Sequence, residues 1–333
     1  MPNHSRSLLT KEEIQGAWVI LPTPAKEGAD RWGAQNTVDL DETARMVEGM
    51  IAAGADGILT LGTLGEAATL TWDEKMSFIS TVIETARRRV PIFTGTTTLN
   101  TRDTVAETKW AADAGVDGTL VGVPMWCAPS VDTAVQFYKD LGEACPHTAI
   151  AVYANYEAFK FEFGLGFWIR VSQIPQVITA KLPPVAQLAT LVELTGRRIR
   201  FLPIDNEYYA SARMDPEFIT AFWSSSASCG PEAALALRDR VRAAKSSGDW
   251  EPARKLSNAL AVAVAPVFPN GSFKEFSTYN IPLEKERMNV AGWLKAGPTR
   301  APYHIVPERY LEGARLSGKA WAKVCQDIKS GSV

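Results

Sequence analysis

The sequence predicts an α/β fold, a closed (β/α)8 TIM barrel with a C-terminal helical extension, and three observations lead there. Eight short apolar runs alternate with amphipathic stretches through the first 245 residues. The segment Ala53-Gly54-Ala55-Asp56-Gly57 returns 61 residues later as Ala114-Gly115-Val116-Asp117-Gly118, the spacing of two β/α units of about 30 residues each. The first run leads into Leu21-Pro22-Thr23-Pro24, which is not the glycine-rich fingerprint usual in a doubly wound open sheet.

The predicted strands are 17–21, 57–61, 91–95, 118–122, 149–153, 177–181, 199–204 and 219–223. Between them, Leu40 to Ala53 has apolar residues at helical spacing and stops at Gly54, a suitable C-terminal cap. Thr71-Trp72-Asp73-Glu74 has the form of a capping box and opens the next helix. Ser130 caps a helix running towards Ala144. After Lys245 the pattern changes to helices at 250–264, 281–294 and 307–329, with a loop rich in Pro, Gly, Asn and aromatics at 266–282. The expected organisation is an N-terminal arm (1–14), a catalytic barrel (15–247) and a helical extension packed on it (248–333).

The 333 residues are 46% apolar and 22% charged, enough for a large core in a soluble protein. A formal net charge of −2 argues against nucleic acid or anionic membrane as a partner. Met1 to Thr10 is polar, unlike a secretory signal, and no apolar run approaches the roughly 20 residues that span a bilayer. Four scattered cysteines without a C-x-x-C pair fit a reducing cytoplasm. Three distant histidines argue against a zinc site, and no phosphate-cradling loop is present. The chemistry is therefore expected to need no metal and no organic cofactor.

Barrel enzymes carry their active residues at the carboxyl ends of strands. Thr63, Trp126, Tyr153, Lys181, Asp205 and Trp223 all fall there. Lys181 ends an apolar strand, and burial disfavours an ammonium, leaving a nucleophilic amine suited to Schiff-base chemistry. Tyr153 is the candidate proton shuttle, since imine formation and breakdown need several proton transfers. Gly62-Thr63-Leu64-Gly65-Glu66 offers N–H groups and a hydroxyl at a tight turn, able to hold the carboxylate of a 2-oxo acid. Glu66 reads as a structural hydrogen-bonding residue.

Taken together, the G-x-x-G-E turn, the strand-five tyrosine and the strand-six lysine resemble the N-acetylneuraminate lyase/dihydrodipicolinate synthase superfamily over residues 15 to 300. The resemblance implies that Lys181 forms the imine, Tyr153 moves protons, and Thr63 with the N–H of Leu64 cradles the carboxylate. It departs from dihydrodipicolinate synthases at Leu64, where they have a second threonine, and at Met125-Trp126, where they have a tyrosine pair. Ala158 stands where they place an arginine for a second carboxylate, so lysine biosynthesis is not expected.

Instead the mouth reads as aromatic, with Trp126, Tyr156, Phe159 and Trp223 and with Cys127 and Cys229 nearby. Tyr-Ala-Asn at 153–155, Ala-Phe-Trp at 221–223, Phe-Ser-Thr-Tyr-Asn at 276–280 and Gly-Trp-Leu-Lys-Ala-Gly-Pro at 292–298 resemble the hydratase-aldolase branch, which acts in bacterial breakdown of polycyclic aromatic hydrocarbons. That likeness implies a trans-arylidenepyruvate, hydrated and then cleaved to an aromatic aldehyde and pyruvate through one imine on Lys181. Asn155 would position water, Trp126 and Trp223 would flank the ring, and Asn280 would meet its ortho substituent. The favoured substrate at this stage is 2'-carboxybenzalpyruvate, and a homotetramer is expected. Two other readings stay open: an aldolase of 2-keto-3-deoxy sugar acids, and a non-catalytic 2-oxo acid sensor.

Overall fold

The computed structural model describes residues 8–184 and 186–332. Among them, eight parallel strands follow one another around a barrel: β1 Gly16–Ile20, β2 Gly57–Thr60, β3 Ile92–Gly95, β4 Gly118–Val121, β5 Ala149–Tyr153, β6 Val177–Lys181, β7 Arg200–Leu202 and β8 Ala221–Ser224. Each strand from β1 to β6 pairs with the next, and β1 also pairs with β8. Between β7 and β8 the ring is joined by a bridge at Ile204 and Trp223, whose N–H donates to the Pro203 carbonyl at 2.9 Å. All eight strands are buried, as expected of a parallel sheet covered by helices.

The helices on the barrel are α1 Leu40–Ala53, α2 Trp72–Ala86, α3 Thr101–Ala114, α4 Val131–Ala144, α5 Tyr156–Phe159, α6 Leu165–Val171, α7 Leu188–Leu194, α8 Asp205–Met214 and α9 Pro231–Ser247. The predicted caps form: Gly54 ends α1 in the left-handed region (φ 97°), Thr71 and Glu74 close a capping box on α2, and the Ser130 side chain accepts from the Thr133 N–H. The internal repeat has a physical purpose. Asp56 accepts from the Ala17 N–H at 2.8 Å, and Asp117 accepts from the Ile92 N–H at 2.9 Å. In both copies the aspartate just before a strand pins the start of the strand beside it.

Beyond α9 the chain forms α10 Glu251–Val264, α11 Phe273–Thr278, α12 Asn280–Ala291 and α13 Glu308–Lys329. Most of the segment read as a loop at 266–282 is instead two 3-10 turns, α11 and the first residues of α12. Ser272 caps α11 by accepting from the Glu275 N–H, a Ser-x-x-Glu signal hidden among prolines and glycines. The following helix stops at Ala291, short of Leu294, because Gly292 turns left-handed at φ 76°. The extension packs tightly on the barrel. Trp321 is 1% exposed and donates to the Gly230 carbonyl at 2.8 Å. A Cβ on Gly318 would lie 2.3 Å from the Arg287 carbonyl, so only glycine lets α13 approach α12 this closely. Among the described residues, no helix is long and apolar enough to cross a membrane.

Candidate active site

Lys181 ends β6 and Tyr153 ends β5, and the two are register partners across the sheet. Lys181 is 8% exposed, with Nζ 4.6 Å from the centre of the Tyr153 ring and 3.5 Å from that of Trp223 on β8. The indole N–H of Trp223 donates to the Leu182 carbonyl at 2.7 Å, which fixes its face against the amine. Burial lowers the Lys181 pKa from the ordinary lysine value, although Tyr153 and Glu284 pull the other way. Burial would raise the Tyr153 phenol. The Lys181 ammonium and hydrogen bonds from Thr63 and Asn155 outweigh it and hold the phenol below its usual value.

The turn after β2 brings Thr63 to this pair. Its Oγ1 lies 2.9 Å from the Tyr153 hydroxyl. The turn is tight at both ends, since Leu61 and Glu66 adopt left-handed φ values of 50° and 57°, a conformation costing about 1–2 kcal/mol per non-glycine residue. A Cβ on Gly95 would sit 1.9 Å from the Leu61 carbonyl, so β3 must offer bare backbone there. Asn155 caps α5 through Oδ1, which accepts from the Ala158 N–H at 3.2 Å. Its Nδ2 is left facing Thr63 Oγ1 and the Tyr153 hydroxyl, each at 3.4 Å.

These residues open into a cavity of about 440 Å³. Leu64, Asn155, Tyr156, Trp223 and Asn280, all singled out in the sequence, line it together with Lys181, Tyr153 and Thr63. Trp126 does not. It is 78% exposed and lies on a separate shallow groove with Leu99 and Cys127. Phe159 covers Gly122, just after β4, so closely that a Cβ there would lie 2.2 Å away. Phe159 is itself buried, edge-on to Tyr153 at 5.1 Å, and is packing, not lining. Trp223 lies against the lysine. Asp205 is fully buried, accepts from Ser224 Oγ and the Asn206 N–H, and is held above the usual carboxyl range by burial. Glu66 is buried and ion-paired, the structural role the sequence suggested.

The sequence reading missed what the extension brings. Phe268, Phe273 and Phe276 give the cavity an aromatic wall, and Glu284 and Arg287 give it a charged one. Glu284 accepts from Ser225 Oγ at 3.3 Å, and its Oε2 lies 3.0 Å from Arg287 Nε. Burial would lower the Arg287 pKa, but Glu284, Cys229 and Asp205 together outweigh it and the guanidinium stays charged. Asn280 Oδ1 and Glu284 Oε2 are buried without a hydrogen-bond partner. The signal for this wall was helical spacing: Asn280, Glu284 and Arg287 recur at i, i+4 and i+7 on one face of α12.

An amine partly stripped of water, a phenol in a hydrogen-bonded relay and a covered apolar cavity are the components of imine-based aldol chemistry. The comparisons with known proteins agree. The sequence model described as the dihydrodipicolinate synthetase family matches residues 31–193. A trans-o-hydroxybenzylidenepyruvate hydratase-aldolase of Sphingobium xenophagum is 60% identical over 96% of this chain and 97% of its own. That of Pseudomonas putida is 57% identical over 94% and 95%. A trans-2'-carboxybenzalpyruvate hydratase-aldolase of Nocardioides sp. strain KP7 is 38% identical over 96% of each chain. The solved structure of PhdJ bound to a substrate intermediate superposes with a TM-score of 0.94 at 40% identity, covering 97% of this chain and 100% of that one. The chain belongs to the hydratase-aldolase branch of the dihydrodipicolinate synthase superfamily and is a lyase.

Proposed function

We propose that this enzyme hydrates trans-o-hydroxybenzylidenepyruvate and cleaves the product to 2-hydroxybenzaldehyde and pyruvate. The single observation that carries the reading is the opening of the Lys181–Tyr153–Thr63 cluster into a cavity walled by Phe268, Phe273 and Phe276. Lys181 attacks the 2-oxo carbon and water leaves, giving a protonated imine conjugated with the alkene. That cation draws electrons from the ring-bearing alkene carbon, which accepts water; the adduct loses a proton from oxygen, and the resulting enamine takes one at the neighbouring carbon, which restores the protonated imine. Deprotonation of the new hydroxyl then breaks the adjacent carbon–carbon bond, releasing the aldehyde and leaving the pyruvate enamine on Lys181. Protonation at carbon and hydrolysis of the imine release pyruvate and restore the amine. Tyr153 carries protons at the hydroxyl-bearing carbon, Asn155 orients the water, and Thr63 Oγ1 with the Leu64 N–H holds the carboxylate. The proposed steps use protein groups alone, without a cofactor.

The choice of ortho substituent rests on α12. Asn280 Oδ1 is an unpartnered acceptor, suited to a phenolic O–H. A ring carboxylate would meet Glu284 as a like charge, and Arg287 already serves Glu284. This reverses the lean towards 2'-carboxybenzalpyruvate drawn from sequence. A sugar acid would leave its hydroxyls unmatched against phenylalanines, and buried unpaired polar groups are penalised. The apolar surface at Leu99, Trp126, Val131 and Ile169 supports a homo-oligomer, expected as a tetramer in the cytoplasm of a cell degrading aromatic hydrocarbons. Sedimentation would read the assembly.

The test is a substrate panel followed at the enone absorbance. The expected kcat/KM for the ortho-hydroxy substrate exceeds that for the ortho-carboxy one by at least about tenfold, and borohydride with pyruvate labels Lys181. A preference for the carboxylated substrate, or for a 2-keto-3-deoxy sugar acid, rejects the assignment.

A further inference from the structure

The glutamate of the G-x-x-G-E turn meets charges supplied from more than 200 positions away. Glu66 is 0% exposed, and its carboxylate takes two cations of the C-terminal extension. Lys285 Nζ, on α12, donates to Oε2 at 2.7 Å and to the Pro298 carbonyl at 2.6 Å. The Arg300 N–H donates to Oε1 at 2.7 Å, and its guanidinium pairs with Oε2. That guanidinium also donates to Thr37 Oγ1 at 2.7 Å and to the Thr23 carbonyl at 3.2 Å. Thr23 Oγ1 in turn donates to the Gly65 carbonyl at 2.7 Å, so the same cluster holds the turn by both its backbone and its side chain. Lys285 and Arg300 are 1% and 2% exposed.

Three buried charges with directed hydrogen bonds are a poor way to gain stability alone, because desolvation offsets much of the attraction. Their better-supported use is to fix one conformation. Here the conformation is one that Glu66 would not choose by itself, with φ at 57°. Three residues before it, Thr63 aims Oγ1 at the Tyr153 hydroxyl, and the Glu66 N–H donates to the Thr63 carbonyl at 3.0 Å.

We propose that Lys285 and Arg300 are positioning residues for the seat of the substrate carboxylate: by clamping Glu66 they set the direction of Thr63 Oγ1 and the Leu64 N–H. The proposal rests on the reading of Thr63 and Leu64 as that seat. It gives the extension a function at the pyruvoyl end of the substrate as well as at the ring end.

The test uses the full chain and pyruvate as probe, trapping the imine with borohydride. For Lys285→Met the pyruvate concentration giving half-maximal trapping is expected to rise about tenfold or more, with the saturated trapping rate within about threefold of wild type, the pattern of lost ground-state binding. Inhibition by 2-hydroxybenzaldehyde should stay within about twofold, since the ring end is untouched. Lys285→Arg, which keeps the charge, should recover most of the pyruvate affinity. If Lys285→Met does not fold, Lys285→Gln, which keeps an N–H donor and leaves Glu66 paired with Arg300, is expected to raise half-saturation at least about threefold. Wild-type half-saturation in that variant, or in folded Lys285→Met, overturns the proposal when Thr63→Val raises it. Should Thr63→Val also leave half-saturation unchanged, the carboxylate-seat reading fails and takes the clamp with it. Equal losses in pyruvate and aldehyde binding would mark a merely structural cluster and also overturn it.

Discussion

On the proposed mechanism Lys181 needs opposite things at two stages: no proton when it attacks, and a positive charge once it is an imine. Burial supplies the first by lowering its pKa, and the faces of Trp223 and Tyr153 accommodate the second. The pH dependence follows in sign. Attack requires the neutral amine, so kcat/KM rises as pH increases through the lowered lysine value. Tyr153 must hold its proton to act as an acid, so kcat/KM falls as pH passes the lowered phenol value. Both limbs are expected below the ordinary range of about 10 to 10.4, as properties of the pair. Tyr153→Phe should lower kcat by roughly a hundred- to ten-thousandfold and abolish the alkaline limb. An unchanged alkaline limb would assign it elsewhere. Lys181→Met should abolish both turnover and borohydride labelling. These two residues were legible because each ends a strongly apolar strand, where a polar side chain has one direction left to face. Trp126 stands in the loop beyond β4, whose path periodicity does not reveal, and lies on a separate groove.

Elements are where sequence and structure part company most. The strands, the capped helices and the repeat could be read locally, since each depends on residues within a turn or two. The β7 and β8 limits shifted by one to two residues because the bridge joining them is made just outside regular strand. Phe268, Phe273, Phe276 and Glu284 could not be placed, as their partners in the cavity lie far away in sequence and helical spacing marks them only as a packed face. Two predictions belong at this scale. Gly95→Ala should destabilise the protein by about 3 kcal/mol in urea titration, because the added methyl meets the Leu61 carbonyl and β3 cannot yield. Phe273 is 41% exposed and lines the cavity. Phe273→Ala is therefore expected to raise KM for the aromatic substrate by roughly five- to tenfold while pyruvate trapping is unchanged. A parallel loss in both would show that α11 supports the whole site.

At the scale of the molecule, buried polar contacts join barrel and extension at two places. Glu66 after β2 is bound to Lys285 and Arg300, and Ser225 after β8 to Glu284. Separating the two parts would strand these charges in an apolar interior, which is strongly unfavourable. Urea unfolding followed by far-ultraviolet circular dichroism and by tryptophan emission should therefore give coincident transitions. A separate early loss of helix would show that the extension unfolds on its own.

Helix α12 sends Lys285 towards the G-x-x-G-E turn and Asn280, Glu284 and Arg287 towards the cavity. A protein engineer can exchange side chains on that helix, but its register has no slack. One residue inserted between Asn280 and Lys285 would rotate the two halves by about 100°, so ring preference and keto-acid grip would be lost in a single step.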